Sequence, residues 1–210
     1  MKYKHFGFTS VIAIALVIML GCANKEETKA ISIENPEQYF QDAHDSFLEQ
    51  QWKDAANSIR DGARYVQREA EQAKGEEKKL LENSKDDLDR LADAVKKGTV
   101  KSVNQLNEAF SQTYQTLSKS HQMKATESWA KKQYVQAGDA LRNASDDLEK
   151  SANWVDGKLA EDSKTVIEKS RQVAGKLKEG TGWLASEVGD SLTALGKEVD
   201  DFGEKLKGSK

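Results

Sequence analysis

One thiol, three imidazoles and a few adjacent carboxylates are the side chains with which this 210-residue chain could do chemistry. The thiol, Cys22, closes an uncharged run that starts at Phe6. A cysteine there could be a nucleophile, a metal ligand or an acyl acceptor, but with no second cysteine it has no disulfide partner within the chain. His44 and His121 have no His or Cys three or four residues away, so no zinc, haem or di-iron spacing is present. That spacing predicts surface or boundary positions for both. Asp86-Asp87, Asp146-Asp147 and Asp200-Asp201 are adjacent pairs. On a helix such neighbours diverge by about 100°, which predicts solvated faces and not acid–base pairs. No glycine-rich phosphate loop follows a strand. The expectation is a protein without catalysis, without metal or cofactor, and with no small-molecule substrate evident.

The surroundings of Cys22 are more informative. Lys2, Lys4 and His5 precede Phe6–Leu20, a stretch of Val, Ile, Ala and Leu without charge. That is the n-region and h-region order of an export signal. Met19-Leu20-Gly21-Cys22 resembles the lipobox of bacterial lipoproteins, with Met19 and Leu20 where the usual box prefers Leu and Ala or Ser. The resemblance implies a diacylglyceryl group on the Cys22 sulfur, cleavage between Gly21 and Cys22, and a fatty acid such as palmitate on the new amine. Ala23, not Asp, follows the cysteine, which implies the periplasmic face of the outer membrane if the cell is Gram-negative. A plain cleaved signal and an uncleaved anchor stay open, because the run to Asn24 approaches the ~20 residues that span a bilayer. All three readings place the body outside the inner membrane.

The chain has 32 basic and 35 acidic residues, a formal net charge of −3, and loss of Lys2 and Lys4 with the leader makes it more acidic. That excludes the basic footprint of nucleic-acid binding and argues against adhesion of the whole body to anionic lipid. One proline and an abundance of Ala, Lys, Glu, Leu and Gln indicate helices.

Residues 1–21 therefore read as the signal peptide and 22–35 as a tether. Asn35-Pro36-Glu37 is a helix start. Phe40, Ala43 and Phe47, then Trp52, Ala55, Ile59, Ala63 and Val66, recur at helical spacing across a turn at Gln50-Gln51. Gly75 and Gly98 break the pattern, so 36–98 forms a first helical unit. A connecting helix covers 99–121, a second unit 122–178 and a tail 179–210. Residues 43–75 laid on 125–157, an offset of 82, pair Ala43 with Ala125, Phe47 with Trp129, Trp52 with Tyr134, Ile59 with Leu141 and Gly75 with Gly157. Beyond that the offset reads as 79, with Ser84 on Ser163. The expected fold is all-α, a duplicated antiparallel helical bundle with a C-terminal amphipathic heptad helix. Trp52, Trp129, Tyr134, Trp154 and Trp183 are expected core anchors.

The pattern Ala43-Phe47-Trp52-Ala55-Ile59, and its echo Ala125-Trp129-Tyr134-Ala137-Leu141, resembles a tetratricopeptide hairpin, although the next unit does not follow at 34 residues. Lys131 to Ala144 is also similar to the YfdX-type periplasmic helical proteins. Neither resemblance brings a binding residue with it.

In the tail, Gly182, Gly189, Gly196 and Gly203 recur every seventh residue beside a seam of Val188, Leu192, Leu195, Val199 and Phe202. Each glycine within a helix costs about 1 kcal/mol relative to alanine. The row is either a groove for close approach of another helix, a loosely ordered tail, or a surface-lying helix. The functional expectation is a membrane-anchored envelope lipoprotein, held by its N-terminal lipid, that binds a protein partner or acts as a spacer. The alternative is a structural lipoprotein that self-associates.

Overall fold

A computed structural model describes residues 36–155 and 161–208, and these are all-helical. The chain forms α1 (Pro36–Leu48), α2 (Trp52–Gln72), α3 (Gly75–Lys96), α4 (Val103–Ala130), α5 (Tyr134–Trp154), α6 (Glu161–Glu179) and α7 (Ala185–Gly208). Cys22, Gly21, Asn35 and Gly157 lie outside the described residues. Among the described residues no helix is long and apolar enough to cross a membrane.

Helix α4 organises the fold. Its 28 residues run unbroken for about 42 Å, across the boundary expected at 121/122. Ser102 caps it, accepting from the Asn104 N–H at 3.1 Å. Its first half packs Leu106, Phe110, Tyr114 and Leu117 into a core with α1, α2 and α3. Ala125, nearer its C-terminus, joins a second core with α5, α6 and α7. The α4–α5 seam is lined with small residues, which lets hydroxyls reach across to backbone: Ser118 donates to the Ala144 carbonyl and Ser151 to the Ser111 carbonyl, both at 2.6 Å.

The backbone recurs at an offset of 82 over more of the chain than the side chains suggest. Gln50 turns the α1–α2 hairpin with φ 61, and Lys132 turns α4–α5 with φ 59. The following residues match as well, Gln51 at φ −85, ψ 64 and Gln133 at φ −88, ψ 71. Gln51 N–H bonds the Ser46 carbonyl at 2.8 Å, and Gln133 N–H that of Ser128 at 2.9 Å. Helix α3 closes with Thr99 N–H on Ala94 O at 3.0 Å and Gly98 at φ 66. Helix α6 closes with Thr181 N–H on Lys176 O at 3.3 Å and Gly180 at φ 72. Helix α4 starts at Val103 and α7 at Ala185. The offset thus stays at 82 and does not fall to 79. Buried positions follow it: Leu106 and Val188, Phe110 and Leu192, Leu117 and Val199. The turns of α1–α2–α3–α4 and of α4–α5–α6–α7 share these geometries, with α4 common to both sets.

Two expectations change here. Trp52 is 37 % exposed, covering Phe47 at the hairpin end with ring centroids 5.0 Å apart. A residue at the first helical position projects beyond the core, so it caps the apolar interior instead of anchoring it. Trp154 belongs to the first core's edge, where it packs edge-on to Phe110 at 5.0 Å, although α5 belongs to the second unit.

Candidate functional site

The tail's glycines meet three different environments. Gly182 precedes α7 in a left-handed conformation, φ +75, and Gly189 faces open space. Gly196 and Gly203 face α4. A Cβ at Gly196 would stand 2.8 Å from the Gln122 amide nitrogen, and one at Gly203 2.5 Å from that of Gln115. Those amides donate to the backbone carbonyls of Leu192 at 3.3 Å and Val199 at 3.2 Å. Two of the four glycines thus make room for glutamines of the same chain. Lys119 adds an ion pair to Asp200 at 2.7 Å.

Among the described residues, buried polar side chains gather where α2, α3, α4 and α5 meet, about two-thirds of the way along α4. His121 is 8 % exposed, contrary to the surface or boundary position expected from its sequence neighbours. Its Nδ1 shares a hydrogen bond of 2.7 Å with Asp147, which is also 8 % exposed. Its Nε2 lies 3.8 Å from Glu69. Lys124 reaches Glu69 at 3.0 Å and Glu77 at 3.7 Å, and Ser120 donates to Glu77 at 2.6 Å. The sequence expectation of a solvated Asp147 is therefore corrected. Asp146, its neighbour, turns outward to Arg171, which also holds Glu149 at 2.6 Å. His44 is half-buried and lies 5.9 Å from the Trp154 ring. Among the described residues no group of His, Cys, Asp and Glu has the arrangement of a metal site.

Beside the network a cleft of about 630 Å³ opens between the α2–α3 connection and the second half of α4. Gln72, Lys74, Glu77, Met123, Lys124 and Glu127 are among its walls. The network and the cleft share Glu77 and Lys124, so a charged group entering the cleft would meet side chains already fixed by buried partners. The Glu127 carboxyl is held below its ordinary value, first by its hydrogen bond to Lys131 and also by the charge of Lys74.

Two tyrosines face this interior. Burial pushes the Tyr65 phenol well above its ordinary value of 10.0, and Glu69 and Asp147 add to the shift. Burial does the same to Tyr114, helped by Glu37, which accepts its hydroxyl at 2.9 Å. A raised folded-state value means that both contributions are full below about pH 10 and are lost as pH rises beyond it, because the unfolded phenols then release protons that the folded ones retain. Tyr114→Phe is therefore expected to cost about 1 kcal/mol at neutral pH, for the lost hydrogen bond, yet to raise the alkaline unfolding midpoint. Circular dichroism against pH measures both, and an unmoved midpoint in Tyr65→Phe/Tyr114→Phe would count against this origin.

A third feature lies at the far end of α4. Trp129, Tyr134 and Trp183 pack mutually, with centroids 5.5, 5.3 and 4.9 Å apart. All three are half-buried. Trp183 Nε1 is buried without an acceptor. Sequence spacing pointed to the rings but not to their meeting, since Trp183 comes from the α6–α7 loop. Compared with protein-family models, with curated proteins and with solved structures, the chain finds no match.

Proposed function

We propose that this chain is a lipid-anchored envelope protein whose helical body, acting without catalysis, receives a segment of a partner protein in the cleft beside α4. The observation that carries the reading is the cleft itself, whose charged wall is backed by the Glu77–Ser120–Lys124–Glu69–His121 network. Mixed lysine and glutamate groups suit a polypeptide segment with both signs, and Met123 supplies an adaptable apolar contact. The anchor rests on Gly21-Cys22 at the close of the uncharged leader. The recurrence at 82 residues supports an origin by tandem duplication, in which α4 fused the last helix of one copy to the first of the next. Self-association along the glycine row has less support, because Gly196 and Gly203 are occupied by Gln122 and Gln115 of the same chain, and Lys197, Asp200, Asp201 and Glu204 make the outer face of α7 polar.

A photo-reactive residue at Met123 tests this in intact cells. The expected result is one discrete cross-linked partner, absent when the probe stands at Thr193 on the outside of α7. Cys22→Ala is expected to lose both an acyl label and the cross-link. Equal products from Met123 and Thr193 would sink the cleft reading, and an acyl label retained by Cys22→Ala would sink the anchor.

A further inference from the structure

We propose that the end of the bundle bearing Trp129, Tyr134 and Trp183 lies against the lipid surface to which the chain is tethered; this rests on acylation of Cys22. Leu184 is 69 % and Val135 48 % exposed, and both adjoin the three-ring cluster in sequence. Leu184 is held in place. Its N–H donates to Glu187 at 3.4 Å in the first turn of α7, and Gly180 and Gly182, at φ 72 and 75, shape the loop that turns Trp183 inward and Leu184 outward. A leucine fixed in water forgoes the burial that its side chain would gain in lipid. Tryptophan and tyrosine rings favour the membrane–water boundary, where an apolar body and a polar tip are both solvated. Lys132, at the left-handed position of the α4–α5 turn, is exposed and has no acidic partner among the described residues, so it is available to a lipid phosphate.

The chain preceding the body is long enough. Glu37 accepts from the Tyr114 hydroxyl, which fixes the start of α1 beside that residue. Trp129 lies about 22 Å further along α4. Residues 22–35 can span on the order of 50 Å. Once an acyl chain holds the protein at the surface, two exposed side chains and a ring edge suffice to orient it, because the second contact is intramolecular. A second copy is the weaker occupant. Pairing this end with itself would set Lys132 against Lys132, and two exposed apolar side chains fall well short of the ~800 Å² per partner of a stable interface.

The test uses the full acylated chain in vesicles of phosphatidylethanolamine and phosphatidylglycerol with brominated acyl chains, which quench nearby tryptophan. Trp52→Phe/Trp154→Phe, which keeps Trp129 and Trp183, is expected to be quenched several-fold more than Trp129→Phe/Trp183→Phe. Val135→Asp/Leu184→Asp, introduced into the former, is expected to remove that quenching while leaving the acyl label and helicity unchanged. Equal quenching of the two pairs, or quenching that survives the aspartates, overturns the proposal. So does unquenched emission accompanied by cross-linking between copies through Leu184→Cys, which would assign the surface to a second copy. A wild-type chain without acyl label refutes the anchoring reading and this proposal with it; an intact label with unquenched Trp129 and Trp183 refutes docking alone.

Discussion

His121→Ala should destabilise the chain by about 3 kcal/mol, the cost of leaving a buried carboxylate without its hydrogen-bond partner. The side chain stands between Asp147 at 2.7 Å and Glu69 at 3.8 Å. Without it, Asp147 loses its imidazole partner at a position only 8 % exposed. Lys124 alone would then serve Glu69 and Glu77. The penalty belongs to the orphaned carboxylate more than to the pair, because two buried polar groups replaced by apolar ones of similar volume can be close to neutral. His121→Leu/Asp147→Leu should therefore recover most of what His121→Ala loses. Urea unfolding of the three proteins measures this. A loss below about 1 kcal/mol for the single variant, typical of an exposed pair, would mean that the network is solvated and does not tie the four helices together.

That network also marks the limit of what one sequence shows. Local spacing predicts a surface or boundary position for His121, because its neighbours three and four residues away bring no ligand. Its partners come from α2 and α5, where local spacing cannot register them. Helix ends were far more legible, since they are local: Pro36, Gly75 and Gly98 stand where α1 and α3 begin and end. Gln50-Gln51 marked a turn whose left-handed residue recurs at Lys132. Aromatic spacing suggests a recurrence, and the paired turns at Gln50 and Lys132 are what the structure adds to it. Helix α4 buries residues toward two cores, among them Leu106, Phe110, Tyr114, His121 and Ala125. Its apolar residues serve both, and the spacing from Val100 to Trp129 reads as one long helix, which α4 is over Val103–Ala130.

The glycines need a finer distinction, since a heptad row gives each member the same appearance while only the neighbouring helix decides what a methyl group would meet. Gly189 meets nothing within 4 Å, so Gly189→Ala should stabilise by about 1 kcal/mol through helix propensity alone. Gly196→Ala gains the same propensity but pushes the Gln122 amide away from the Leu192 carbonyl, a hydrogen bond worth about 1 kcal/mol. The two nearly cancel, and Gly203→Ala against Gln115 should behave likewise. The large effects lie outside the row. A Cβ at Gly138 would sit 2.7 Å from the Ala174 carbonyl oxygen, which is α6 backbone and cannot rotate away. A Cβ at Gly62 would collide with the Phe40 ring. That ring is stacked on Phe110 at 4.5 Å and set edge-on to Tyr114 at 5.6 Å, so it has little room to yield. Overpacking of this kind costs about 1–3 kcal/mol, and it should outweigh the propensity gain at both sites. Ala144 stands 82 residues after Gly62, and Gln122 the same distance after Phe40. At that spacing the methyl group is present and the ring is absent. Phe40→Leu should accordingly make Gly62→Ala tolerable, a favourable coupling between two otherwise destabilising changes. Thermal unfolding of the single and double variants decides it. If Gly62→Ala proves as stabilising as Gly189→Ala, or if Phe40→Leu leaves its cost unchanged, the close approach of α1 to α2 is not what requires a glycine at that position.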